Sequence, residues 1–188
     1  MALPPPSLKA RALQWLAQRE QSRTELRRKL LAVARQRAAA AAAAAADAAD
    51  ADANAATDEP AAGARAAPAE PAAEVDALLD WLAAHHHLSD ERFVESRVHA
   101  RAARYGNLRI RQELAHHGAA VDAATAEQLK ASELARAQAV WARKFGGQGA
   151  PDAAARARQR RFLAGRGFSA EVIQQVLKGD EDDADAPA

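Results

Sequence analysis

The sequence predicts an all-α protein, and three observations support this prediction. Alanine, which has the highest intrinsic helix propensity, is abundant throughout the 188 residues. β-branched residues are few, and nowhere do they alternate with polar residues over the length of a strand. Large apolar residues recur instead at spacings of three and four, which is the period of an amphipathic helix.

The helical periodicity falls into nine segments. We expect the first helix at about Leu8–Glu20 and the second from Arg23 to Val33, with Ser22 and Glu25 forming a capping box at its start. A third segment begins at Val75 and ends near residue 85. The other six predicted helices lie at about 90–105, 108–117, 122–129, 132–145, 151–164 and 169–177. Glycine, proline or a capping residue separates most of them.

Nine helices suggest three units of three, and the sequence contains a weak internal repeat with that period. Leu26 and Ile110 each begin the same pattern, in which arginine follows at once and leucine four positions after the first residue. Phe162 lies 52 residues beyond Ile110, whereas Leu26 and Ile110 are 84 residues apart. An alanine-rich stretch at about 38–73 accounts for most of the excess. We therefore predict three-helix repeats at 8–84, 88–130 and 131–178, with an insertion in the first.

Charge separates the predicted repeats from the rest of the chain. Residues 1–37 carry nine basic and two acidic side chains, and residues 81–178 carry sixteen and nine. Residues 38–80 carry one basic and nine acidic side chains, and residues 179–188 carry five acidic ones. The stretch 38–73 has no large apolar side chain with which to offset the entropy of ordering. We therefore predict a disordered acidic insertion at about 38–73, of which Ala38–Ala46 could extend the second helix, and a disordered acidic tail at 179–188.

Several functional classes are not expected. The chain has no cysteine, which excludes disulfides, thiolate zinc sites and cysteine nucleophiles. His85, His86 and His87 are adjacent, so on a helix they point about 100° apart and share a metal ion poorly. No nucleophile is paired with a base in any recognisable pattern, so we expect neither an enzyme nor a bound cofactor or metal. Without a signal peptide or membrane span, a cytoplasmic location is expected.

The candidate functional residues are arginines in two basic clusters. Arg97, Arg101 and Arg104 are spaced to share one face of a helix, and a second cluster lies at 156–166. Arginine suits forked recognition of carboxylates and phosphates, although a solvated basic face is the simpler interpretation. The candidate binding residues are Arg97, Arg101, Arg104, Tyr105, Arg109, Arg111, Arg158, Arg161 and Arg166.

Three blocks of the sequence carry a family resemblance. They are residues 12–26 (ALQWLAQREQSRTEL), residues 88–93 with 104–114 (LSDERF, RYGNLRIRQEL), and residues 144–146 with 161–169 (KFG, RFLAGRGFS). In this order they resemble the RecX family of bacterial regulatory proteins, over residues 8–37 and 74–178. The insertion at 38–73 departs from the family pattern. So do His86 and His87, which occupy a turn where relatives tend to have glycine.

The resemblance implies a fold and a partner. Its fold is three tandem three-helix repeats in an elongated, curved molecule, with the insertion looping out of the first repeat. It implies a monomer that binds the RecA filament, with DNA contacted inside that filament. Bound in the filament groove, the protein would inhibit ATP hydrolysis and strand exchange, and so modulate recombination and DNA repair in the SOS response. The candidate arginines would contact RecA or the DNA.

Two other functions fit the residues themselves. Three-helix units with a basic face are compatible with a stand-alone DNA-binding module, whose affinity would fall steeply with salt. The acidic insertion and tail argue against this alternative, because they would repel phosphates. A structural adaptor would need only the helical array.

Overall fold

The structure, a computed structural model, describes residues 5–53 and 70–184, with side chains described at 5–48 and 70–178. These residues form eight α-helices and no strand, which confirms the all-α prediction. None of the helices so described is both long and apolar enough to cross a lipid bilayer. The helices are α1 (Leu8–Gln18), α2 (Arg23–Ala53), α3 (Pro71–Ala84), α4 (Asp90–Ala102), α5 (Asn107–His116), α6 (Ala123–Phe145), α7 (Ala153–Gly165) and α8 (Ala170–Ala184).

The chain divides into two compact units, unit 1 (Met1–Ser89) and unit 2 (Asp90–Ala188). Unit 1 contains α1, α2 and α3, the predicted first repeat. Leu26 and Leu30 of α2 pack against Val75, Leu79 and Leu82 of α3, and all five are fully buried. The predicted spacing of three and four residues therefore forms the core of this unit. Ser22 caps α2 as predicted, because its hydroxyl accepts the backbone N–H of Glu25 at 3.1 Å.

The structure corrects part of the predicted disordered insertion. Helix α2 continues to Ala53 and α3 begins at Pro71, so residues 38–53 and 71–73 are helical. Once Leu26, Leu30 and Ala34 anchor the start of α2, each added alanine extends an existing helix and avoids the cost of nucleation. Glu70 is the N-cap residue of α3, and residues 54–69 lie outside the described residues.

Unit 2 contains α4 to α8 and has two hydrophobic clusters. In one cluster Phe93 and Ile110 pack with Leu129. In the other, Trp141 packs with Leu163 and neighbouring residues of α8. Leu129 and Trp141 both belong to α6, so this one helix contributes to both clusters. The second and third predicted repeats therefore share α6.

The sharing of α6 corrects the predicted count, since the described residues contain eight helices where nine were expected. The predicted helices at 122–129 and 132–145 are a single helix. Ser132, expected to begin a new helix, instead donates its hydroxyl to the carbonyls of Gln128 at 2.8 Å and Leu129 at 3.3 Å. Such bonding within a helix leaves the helix continuous. Lys130 and Ala131 are good helix formers, so nothing interrupts the chain there.

Two helix ends in unit 2 also differ from prediction. Helix α8 continues to Ala184, so residues 179–184 of the predicted disordered tail are helical, because extension from a packed helix needs no new nucleus. Residues 185–188 lie outside the described residues. Helix α7 begins at Ala153 instead of Pro151, because the carboxylate of Asp152 caps it by accepting the N–H of Ala155 at 2.6 Å.

Candidate binding surface

The turn between α4 and α5 lies against the turn between α7 and α8, and we call this contact the turn junction. The N–H of Gly106 donates to the carbonyl of Arg166 at 2.9 Å, and the N–H of Leu108 donates to that of Gly167 at 3.1 Å. A Cβ on Gly106 would lie 2.2 Å from the Gly167 oxygen. Gly167 has φ +81°, and its Cβ would lie 2.6 Å from the backbone nitrogen of Arg109. Because two distant blocks of the sequence meet so closely here, both positions require glycine.

Three guanidinium groups surround the half-buried ring of Tyr105 at the turn junction. The guanidinium carbons lie 4.5 Å (Arg109), 5.6 Å (Arg166) and 5.7 Å (Arg101) from the ring centroid. These distances are within the range of cation–π interaction. Arg166 also lies 4.9 Å from the centroid of Phe162. An aromatic face attracts a cation without cancelling its charge, so the ring positions Arg109 and Arg166 and leaves them cationic. Arg101 differs, because a carboxylate also pairs with it.

Backbone carbonyls add a second set of contacts to the same arginines. Nη1 of Arg109 donates to the carbonyl of Gly165 at 3.3 Å, and Nη1 of Arg166 donates to that of Arg104 at 3.2 Å. A neutral carbonyl also leaves the net charge of the arginine unchanged. The structure therefore brings together four predicted residues, Arg104, Tyr105, Arg109 and Arg166.

Arg97 and Arg101 differ from these arginines, because both pair with Glu113. Nη1 of Arg97 lies 3.2 Å from Oε1 of Glu113, and Nη2 of Arg101 lies 2.9 Å from the same oxygen. The expected single helix face is also incomplete, since α4 ends at Ala102 and Arg104 lies beyond it. The N–H groups of Arg104 and Tyr105 both donate to the carbonyl of Arg101 at 3.0 Å, which closes the helix.

The other predicted arginines lie elsewhere in unit 2. Arg111 is exposed on α5, in a groove that it shares with Lys130 and Glu171. Arg158 and Arg161 are exposed on α7 and line neither of the two grooves beside the turn junction. The predicted set is therefore divided between a clustered group and separate surface positions.

A polar clamp on α6, made by Glu133 and Arg136, was missed by sequence reasoning. Arg136 donates to the carbonyls of Tyr105 at 2.8 Å and Leu129 at 2.9 Å, and to Oδ1 of Asn107 at 2.6 Å. The buried carboxylate of Glu133 accepts the N–H of Asn107 at 2.9 Å. Burial lowers the pKa of Arg136, and the charge of Glu133 opposes that shift. The clamp fixes the turn that presents Tyr105, and its signal in the sequence is no more than two polar residues three positions apart.

A groove beside the turn junction concentrates positive charge, and we call it the cationic groove. Its cations come from three different elements of unit 2, and none of its lining residues is acidic. The lining residues are Arg104, Tyr105, Val140, Arg143, Lys144, Phe162 and Arg166. Arg143 and Lys144 were not among the predicted binding residues. The sequence shows them only as cations in the last turn of α6. Such a position by itself indicates a favourable interaction with the helix end and no binding role.

Histidine and carboxylate side chains form no candidate metal centre in the described part of the chain. No group of three or more of them is arranged to hold an ion. The chemistry available at the turn junction is therefore that of fixed cations, which can bind phosphates or carboxylates.

Comparison with family models places two segments of unit 2. Residues 89–128 match the second three-helix domain of RecX, and residues 131–177 match the third three-helix domain. The boundary between the two matched segments falls inside α6. This agrees with a helix that serves two three-helix domains.

Curated relatives extend the similarity to the whole chain. The regulatory protein RecX of Ralstonia nicotianae is 44% identical over 194 aligned residues, which cover 100% of this chain and 99% of that protein. RecX of Ralstonia pickettii is 40% identical, with 97% and 94% covered, and RecX of Leptothrix cholodnii is 41% identical, with 92% and 88% covered. With its three-helix domains and this end-to-end similarity, the chain belongs to the RecX family of regulatory proteins.

Proposed function

We propose that this protein binds the RecA nucleoprotein filament and lowers its rates of ATP hydrolysis and strand exchange. In this way it modulates homologous recombination and DNA repair. It acts in the cytoplasm as a monomer, without catalytic activity of its own. Membership of a family of regulatory proteins supports the regulatory role.

The observation that carries the proposal is the group of fixed arginines at the turn junction. Arg109 and Arg166 are held by the Tyr105 ring and by carbonyls, so their charges remain available to a partner. A nucleoprotein filament offers two anionic partners, the carboxylates of the protein and the phosphates of the DNA. Guanidinium groups bind both with paired hydrogen bonds.

Inhibition in this proposal is mechanical. A protein bound across neighbouring RecA protomers hinders the subunit movements that accompany nucleotide turnover, and it needs no active site to do so. Turnover should therefore slow in proportion to the fraction of the filament that is occupied.

The test is the ATPase rate of RecA on single-stranded DNA, measured with increasing amounts of this protein. We expect inhibition by the wild type. The variant Arg104→Ala/Arg109→Ala/Arg166→Ala should need a more than roughly tenfold higher concentration, since each lost charge-assisted hydrogen bond contributes about 1.5–3 kcal/mol. The matched control, Arg35→Ala/Arg160→Ala/Lys178→Ala, removes the same charge from exposed positions outside the turn junction. Unchanged turnover at excess wild-type protein would reject inhibition.

The same variants separate the proposal from a stand-alone DNA-binding module. Cosedimentation with the RecA filament and binding to naked DNA are measured side by side. A wild type that binds naked DNA as tightly as the filament, with parallel losses in the variant, favours the stand-alone module.

A further inference from the structure

We propose that the cationic groove binds the phosphodiester backbone of single-stranded DNA. The proposal rests on the proposed function for its setting, because it assigns this groove to the DNA strand of the filament and not to the RecA protein. It adds Arg143 and Lys144 to the residues that contact the partner.

The four cations of the groove come from different parts of the chain. Arg104 follows α4, Arg143 and Lys144 are in the last turn of α6, and Arg166 follows α7. Side chains from three separate elements therefore converge on one groove. Interaction with the carbonyl dipoles at the end of α6 would explain Arg143 and Lys144 alone. It does not explain why Arg104 and Arg166 face the same groove.

No acidic residue is among those that line the groove. Close cations without a countercharge repel one another, and the repulsion is relieved when closely spaced anions bind. Phosphates of a nucleic acid backbone are spaced in this way, and their neutralisation releases condensed counterions. An acidic protein surface is served as well by isolated arginines, such as Arg158 and Arg161 on α7.

Contacts within the protein organise the groove before any partner binds. The guanidinium of Arg166 is held against Tyr105 and Phe162, and its Nη1 donates to the carbonyl of Arg104. That hydrogen bond is made by one nitrogen of a group that has five N–H donors, so donors remain for phosphate oxygens. The concave shape suits a single strand, whose sugars can lie against the half-buried rings of Tyr105 and Phe162.

The experiment measures binding of the full chain to fluorescein-labelled oligothymidine by anisotropy, as a function of NaCl concentration. The test variant is Arg143→Gln/Lys144→Gln. The control, Arg160→Gln/Lys178→Gln, removes the same charge from exposed positions that do not line the groove. Circular dichroism verifies that all proteins keep their helix content. We expect roughly tenfold weaker binding near 0.1 M salt for the test variant, and a salt slope smaller by about 1.4, at about 0.7 per lost phosphate contact. The control should change both values much less.

Three outcomes would overturn the proposal. Equal losses in the test variant and the control would show that only total charge matters. Equal losses on duplex and single-stranded DNA would reject the assignment to a single strand. Unchanged DNA binding with lost filament binding would show that the groove contacts an acidic RecA surface, and would leave the proposed function standing. Conversely, the expected DNA result with no inhibition of RecA by the wild type rejects the proposed function and leaves the groove assigned.

Discussion

Helix α2 of unit 1 and the turn junction of unit 2 are both rich in arginine, but they hold it differently. In unit 1, Nε of Arg27 donates to Asp76 at 2.6 Å, and its Nη2 donates to the second oxygen at 2.8 Å. Arg23 pairs with Asp80 at 2.6 Å. At the turn junction the guanidinium groups of Arg109 and Arg166 instead contact the Tyr105 ring and backbone carbonyls.

The difference determines how much charge each region leaves for a partner. A carboxylate neutralises the arginine that it binds, so the paired cations of α2 serve to join α2 to α3. A ring or a carbonyl fixes an arginine and leaves its charge in place. Both regions use arginine, and what distinguishes them is the group that each arginine contacts across the fold.

The largest expected effect comes from closing the space between the two turns of the junction. Gly106→Ala places a Cβ 2.2 Å from the carbonyl oxygen of Gly167. Because backbone atoms cannot yield cheaply, we expect unit 2 to lose about 3 kcal/mol or more of its free energy of unfolding. The loss of stability is measured by urea unfolding in a protein with Trp15 and Trp81 replaced by Phe, so that Trp141 alone reports by fluorescence.

Gly165→Ala is the matched control for that substitution. A Cβ at Gly165 meets nothing within 4 Å, and the residue belongs to α7. Alanine should therefore stabilise the helix by about 0.5–1 kcal/mol. Similar stabilities for the two variants would contradict the close approach of the turns.

The second effect tests the paired charges of unit 1. Burial alone would raise the pKa of Glu25, but hydrogen bonds from Arg19 and Lys29, together with their charges, lower it from 4.5 to about 2. The carboxylate therefore contributes stability that is complete above about pH 4.5 and is lost as the pH falls towards 2. Glu25→Gln should cost up to about 3 kcal/mol at pH 7.

The measurement is urea unfolding of the wild type and Glu25→Gln between pH 7 and pH 2, followed by Trp15 and Trp81. The difference in free energy of unfolding between the two proteins should decrease as the pH falls from 4.5 to 2. A difference that stays constant with pH would show that the ionised carboxylate is not the source of the stabilisation.

A third effect concerns the polar clamp on α6. Arg136→Met retains much of the apolar stem and removes hydrogen bonds to Tyr105, Asn107 and Leu129. With buried acceptors left unsatisfied, unit 2 should lose about 2 kcal/mol. Hydrogen exchange should also increase at the Gly106 and Leu108 amides, which join the two turns. Unaltered exchange there would mean that the clamp does not hold the turn junction.

The smallest expected effect concerns His86, in the turn that follows α3 in unit 1. His86 has φ +58°, a left-handed conformation that favours glycine. His86→Gly should raise the melting temperature of unit 1 slightly, corresponding to at most about 1 kcal/mol. A lower melting temperature would show that contacts of the imidazole outweigh the backbone strain.

Much of the fold could be predicted because apolar spacing is a local property. Leu26, Leu30, Val75, Leu79 and Leu82 recur along the sequence at intervals of three or four, and the structure buries them together. The errors in helix length arose in segments that have no periodic apolar residues. The alanine run of α2 and the acidic end of α8 are helical because each extends a packed helix. The helix propensity of alanine allowed an extension over 38–46, but composition did not indicate the helix at 47–53 or at 179–184.

The candidate surface could be predicted only in part, since it depends on contacts between distant residues. Arg104, Tyr105, Arg109 and Arg166 meet as a group, and nothing local to Arg101 shows that it pairs with Glu113, twelve residues away. Arg136, Arg143 and Lys144 were missed because a helical arginine looks the same whether it clamps a turn, lines a groove or faces solvent. The binding roles of all these residues stay predictions.

The continuity of α6 has a consequence for the last two three-helix domains. Because Leu129 and Trp141 belong to one helix, neither domain can unfold alone without a break near residues 130–132. We expect their unfolding to be coupled in a single transition, unlike an array whose terminal members fray one at a time. A deletion of either domain would have to cut this helix and would leave the remaining domain without part of its core.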